Sequence, residues 1–243
     1  MEQECLNCGS EVSDAYCSQC GQRKLLPGIR MRDVISDFLS YSFSIDGPVW
    51  RTLALLLTNP GHLFRSFIGG KRKAYYKPIQ FFVLSTLLYF AFAELIEFDP
   101  LKGQFDGASP EKAEPYMKKV EQASQFMVKN INNFLFLQVF VIAAVLKLFH
   151  WKRFTFAAYL AIGFYISGFY ILIGMVDLIA SLGGLSAGRF KLILFPVYFT
   201  YAYVSLRGKF SWSALVTGIL ASVLIYIIYM VLSFGFSYAW ISI

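Results

Sequence analysis

From Phe210 to Ile243 the chain carries no Asp, Glu, Lys or Arg. That stretch constrains the fold more than any other feature. A helix needs about 20 mostly apolar residues to cross a ~30 Å hydrocarbon core. A chain of 243 residues folding in water has no interior large enough to hide so long an uncharged run. Charge is scarce elsewhere too, at 15% against the roughly 25% of an ordinary soluble domain. The deficit is uneven, because residues 1–77 hold ten Lys/Arg and seven Asp/Glu. The expected class is an all-α membrane protein with a water-exposed N-terminal part.

Hydropathy predicts about five transmembrane helices, near 78–98, 131–149, 156–180, 190–206 and 213–236, forming a bundle over 78–243. The fourth is short and needs its cationic start to reach out of the apolar layer. Between the third and fourth, residues 181–191 read as a simple turn or a re-entrant segment.

Cations set the expected orientation. Lys71, Arg72, Lys73 and Lys77 abut the first span; Lys147, Lys152 and Arg153 separate the second and third; Arg207 and Lys209 separate the fourth and fifth. With the N-terminal segment that side holds fifteen Lys/Arg, against seven on the other, where five acids offset the loop 99–130. The N-terminus is therefore expected in the cytoplasm and the C-terminus outside. The opening Met1-Glu2-Gln3-Glu4 has neither the basic nor the apolar part of a secretory signal.

All four cysteines lie within the first twenty residues, as Cys5-x2-Cys8-Gly9 and Cys17-x2-Cys20-Gly21. Each unit is a tight turn pointing two thiolates at one centre, with glycine free to take positive φ. Two such units make a closed four-thiolate site, the usual structural Zn2+ arrangement. Disulfides would need an oxidising compartment, and a redox pair would need a βαβ setting that residues 1–24 cannot supply. Residues 1–24 are thus read as a zinc-ribbon head.

Residues 29–77 read as amphipathic helices plus a basic anchor. Met31–Ile45 has helical apolar spacing. Asp46-Gly47-Pro48 restarts a helix over Val49–Thr58, and Asn59-Pro60-Gly61 ends it. A short piece with Leu63, Phe64, Phe67 and Ile68 closes at Gly69-Gly70. These helices either lie on the membrane surface, with Trp50 and Phe67 among headgroups, or pack on the bundle.

The block C-x2-C-G…Y-C-x2-C-G-Q, then Asp46-Gly47-Pro48…Arg51-Thr52-Leu53…Leu56-Leu57…Pro60-Gly61, then Gly70-Lys71-Arg72-Lys73…Tyr76-Lys77-Pro78 resembles a bacterial membrane family, domain of unknown function 3667. The resemblance covers residues 5–90. It implies a bacterial inner-membrane protein with a cytoplasmic zinc ribbon, and no activity.

No catalytic constellation is present, so an enzyme is disfavoured. Lys71, Arg72, Lys73 and Lys77 read as a topology anchor or a lipid-headgroup contact. Asp177 sits deep in an apolar stretch, where an acid is costly and so a functional candidate by default. Pairing with Arg189 or Lys191 would satisfy it instead. Gly163, Ser167, Gly168 and Gly174 suit close helix contact. The favoured function is an interaction or regulatory module contacting the bilayer and a cytoplasmic protein or a second copy. A small transporter or lipid-handling protein is the alternative, and a polar cavity between spans would favour it. The net charge of +7 is explained by topology, which leaves nucleic acid an unlikely partner.

Overall fold

The computed structural model describes residues 3–22, 24, 47–98, 115–150, 153–182 and 189–242. The expected helix over Met31–Ile45 lies outside them, as does the centre of the 181–191 turn.

The described residues form one two-stranded sheet and eight helices. Strands β1 (Gln3–Glu4) and β2 (Glu11–Val12) pair antiparallel, with Gln3 opposite Val12. The helices are α1 (Gly47–Thr58), α2 (Pro60–Ile68), α3 (Pro78–Leu95), α4 (Pro115–Lys129), α5 (Ile131–Phe149), α6 (Phe156–Leu182), α7 (Arg189–Arg207) and α8 (Trp212–Ser242).

Local chemistry sets the boundaries. Asn59 caps α2, its side-chain oxygen accepting from the His62 N–H at 3.1 Å. Pro60 and Pro78 open α2 and α3, where the missing N–H costs nothing.

Three helices are long and apolar enough to cross a membrane: Pro78–Leu95, Phe156–Val176 within α6, and Trp212–Ser242. The expected spans at 131–149 and 190–206 are helices α5 and α7, yet neither joins this set alone. The 19-residue α7 carries three charges, Arg189, Lys191 and Arg207, and its side chains are described only from Ile193. Side chains of α5 are described only from Phe134. The pair Tyr116–Lys129 and Phe134–Phe149, bent by 87°, would count as a fourth crossing.

The three spans differ in burial: 78% of the α6 window is buried, against 28% for α3 and 22% for α8. Helix α6 is therefore the axis of the bundle, contacting α1, α3, α5 and α7. Glycines allow the close approach. A Cβ on Gly163 would stand 2.8 Å from the Val139 carbonyl oxygen of α5, and one on Gly168 2.9 Å from the Phe81 ring of α3. The outer surface of α8 exposes Val216, Leu220, Ile227 and Val231, an apolar face that suits lipid.

Helices α1 and α2 pack on the bundle. Phe67 is buried edge-to-face against Tyr165 of α6, which removes it from any headgroup layer. Trp50 stays 69% exposed. Helix ends meet reciprocally here. The last turn of α1 has no basic residue, and α7 supplies the missing donors. Tyr198 donates to the Leu56 carbonyl at 3.2 Å and Tyr201 to that of Thr58 at 2.5 Å. In return Arg65 of α2 donates to the Ser205 and Leu206 carbonyls at the end of α7, at 2.5 and 3.0 Å. Orphan helix-end carbonyls are thus satisfied across a tertiary contact.

Candidate metal centre and its docking loop

Two copies of one backbone unit carry the cysteines. In the first, the Cys5 N–H donates to the Ser10 carbonyl at 2.8 Å and the Gly9 N–H to Cys5 at 2.9 Å. In the second, Cys17 donates to Gln22 at 2.7 Å and Gly21 to Cys17 at 2.8 Å. Gly9 and Gly21 have φ of +79° and +65°, a region where a Cβ is strained.

The four Sγ atoms lie within 4.8 Å of one another. Cys5 and Cys20 are 3.6 Å apart, Cys8 and Cys17 3.7 Å. A tetrahedral ion with ligand bonds of about 2.3 Å sets its sulfurs roughly 3.8 Å apart. The cluster therefore fits a metal ion, and its sulfurs are too distant for disulfides, which need about 2.05 Å. The Ser10 hydroxyl lies 3.0 Å from the Cys8 sulfur and 3.1 Å from that of Cys17. That contact, with backbone N–H groups second, pulls the Cys17 thiol down to about 6. Burial pushes the Cys20 thiol up to about 11. Bound cation charge overrides such differences, since coordinating thiols are deprotonated.

The head is clamped to the chain just before α3. Gln22, 5% exposed, donates from Nε2 to the Gly70 carbonyl at 2.6 Å. Its Oε1 accepts from the Lys73 backbone N–H at 3.2 Å. One side-chain amide thus pairs with the loop as a strand would. Leu6, inside the first knuckle, packs on Gly70: a Cβ there would meet Leu6 Cδ1 at 2.3 Å. Gly70 also has φ of +112°, so the position requires glycine twice over.

The basic block splits by role. Arg72 is buried, 5% exposed, so it is part of the packed loop and not a solvated anchor. Lys71 and Lys73 are exposed and Lys77 half-buried. The Lys73 ammonium comes within 3.9 Å of a Cβ placed on Gly21. Four thiolates around a divalent cation would carry a net charge of −2, for which an ammonium beside Gly21 has the favourable sign. Asp177, Arg189 and Lys191 have no described side chains, and their expected pairing lies outside what the structure describes.

Sequence reading found all four cysteines but assigned Gln22 no role. The signal was available: aligning the knuckles puts Gln22 where the first has Ser10. Both positions accept from the first cysteine's N–H. Ser10 turns to the sulfurs, whereas Gln22 turns away to the loop.

Fold and centre together define a mostly helical protein with three membrane-span candidates and a four-cysteine cluster docked beside the first. Residues 46–90, spanning α1, α2, the docking loop and the start of α3, match the family model described as protein of unknown function (DUF3667). No curated protein and no solved structure matches the chain.

Proposed function

We propose that the protein is an inner-membrane interaction or regulatory module whose N-terminal head is a structural zinc ribbon fixed to the membrane-spanning body. The Gln22 clamp carries this reading: the head is held in one orientation at the start of the first span. A closed four-thiolate site leaves no coordination position for water or substrate. Zn2+ matches the sulfur set and would supply on the order of 10 kcal/mol to so small a head. Residues in β1, β2 and the knuckles that point outward, including Tyr16 at 61% exposure, are then displayed to a cytoplasmic partner or a second copy.

In this reading five helices, α3 and α5 to α8, cross the bilayer, with the cationic side and the head in the cytoplasm.

The experiment is metal analysis of the full chain purified in mild detergent, followed by co-purification with and without residues 1–24. One zinc per chain, lost in Cys5→Ser, supports the head assignment. A head that can be deleted without losing any partner refutes the interaction role.

A further inference from the structure

Away from the head, the bundle encloses a cavity of about 90 Å³ to which α3, α5, α6, α7 and α8 all contribute. Its wall is mainly aromatic and aliphatic, with Tyr89, Tyr170, Phe195 and Tyr226 prominent, and one carboxamide, Gln138, enters it. Gln138 is 5% exposed, and its Oε1 is buried with no hydrogen-bond partner among the described residues.

The position makes that acceptor costly. Gln138 stands 11 residues before the end of α5 at Phe149, roughly 16 Å along at about 1.5 Å per residue. That is near the middle of a ~30 Å hydrocarbon layer. Buried polar groups are normally paired, and each exception needs an account. Polar side chains at such depth mark functional sites by default.

The cavity also has an outlet. Tyr226 lines it and is 39% exposed, beside Val223 and Ile227 on the apolar outer face of α8. A molecule reaching the amide by this route comes from the lipid phase.

We infer that the Gln138 cavity binds a neutral, membrane-soluble alcohol, of the long-chain or isoprenoid class, whose hydroxyl donates to Gln138 Oε1 while its apolar body lies against the tyrosine rings and leaves past Tyr226. The chemistry selects this class. The open group is an acceptor, so the ligand brings a donor. No described Lys or Arg lines the cavity, so a phosphate finds no counter-cation there. At about 90 Å³ the space is smaller than the ~150 Å³ that takes a benzene ring, so it admits the hydroxyl end of a chain and not a ring system. The site is independent of the metal head.

The test uses the full chain in phospholipid nanodiscs and two photoreactive probes: a diazirine-bearing long-chain alcohol and the matching alkane without the hydroxyl. The alcohol should label peptides containing Tyr89 and Tyr226 saturably, and unlabelled alcohol should compete. Gln138→Leu should weaken that competition about tenfold, the effect of one hydrogen bond in an apolar site, and leave alkane labelling unchanged. Leu135→Phe keeps the amide but fills the cavity, and should abolish saturable labelling in a protein that remains monodisperse. Equal labelling by both probes, or an unchanged alcohol profile in either variant, overturns the inference and leaves the cavity to water.

Discussion

On the proposed zinc-ribbon reading, removing the Gln22 amide should free the head from the helical body without releasing its metal. Gln22→Met keeps the side chain's length and apolar body but deletes both bonds. The Lys73 N–H, paired with Gln22 at 3.2 Å, loses that acceptor, while the Gly70 carbonyl loses the Gln22 donor at 2.6 Å but keeps the Arg72 N–H at 2.8 Å. A buried N–H left unsatisfied costs about 1–3 kcal/mol, and the second lost bond adds about 0.5–1.5 kcal/mol. Water reaching the opened seam recovers part of this, so the pair should cost about 2–4 kcal/mol. At ~1.4 kcal/mol per decade, the Lys73 amide should exchange with solvent roughly 30- to 1,000-fold faster. Hydrogen exchange read by mass spectrometry on the full chain in detergent reports this, with metal content measured on the same sample. The cysteines and their backbone bonds are untouched, so metal stoichiometry should not change. Wild-type exchange at Lys73 would refute the clamp. Loss of metal alongside faster exchange would refute the separation of docking from coordination.

The other expectations are independent of one another. Gly61→Ala would put a Cβ 1.9 Å from the Ser205 carbonyl oxygen. It should push α2 off α7 and cost about 3 kcal/mol, read as a lower melting temperature, whereas Gly9→Ala meets no atom within 4 Å and should cost only the ~1–2 kcal/mol of its positive φ. Arg65→Met strips the Ser205 and Leu206 carbonyls of a charged donor, and should lower stability by about 2 kcal/mol in thermal unfolding. Burial first, then Arg153 and Arg207, lower the affinity of His150 for a proton. The unfolded chain then binds a proton that the folded one refuses, so stability should hold above pH ~6.5 and fall as pH drops toward the depressed folded value. His150→Gln should remove that portion of the slope in melting measurements from pH 7.5 to 5.5. Chelation with EDTA should unfold the head alone, seen as proteolytic cleavage within residues 3–22 while the helices persist.

Much of this was legible because its cause is local. C-x2-C-G spacing fixes a tight turn wherever it occurs, so the four sulfurs could be assigned to one centre before their positions were known. The helices at Gly47–Thr58 and Pro60–Ile68 begin and end at the residues Pro48, Asn59, Pro60 and Gly69, whose backbone chemistry acts on their neighbours alone. The basic block was harder. Lys71, Arg72 and Lys73 look equivalent in sequence, yet Arg72 is buried and its neighbours are not.

The sequence by itself determined the parts: long charge-free stretches suited to lipid, helix boundaries, and four cysteines spaced to meet at one centre. Those properties follow from composition and from interactions between residues near in the chain. Only the tertiary structure decided that α6 is the buried axis, that Tyr198 and Arg65 close each other's helix ends, that Gln22 ties the head to Gly70 and Lys73, and that Gln138 is left facing a cavity. Each depends on residues 24 or more positions apart meeting in space, and an apolar helix in lipid does not reveal in its own sequence which of its faces another helix will cover.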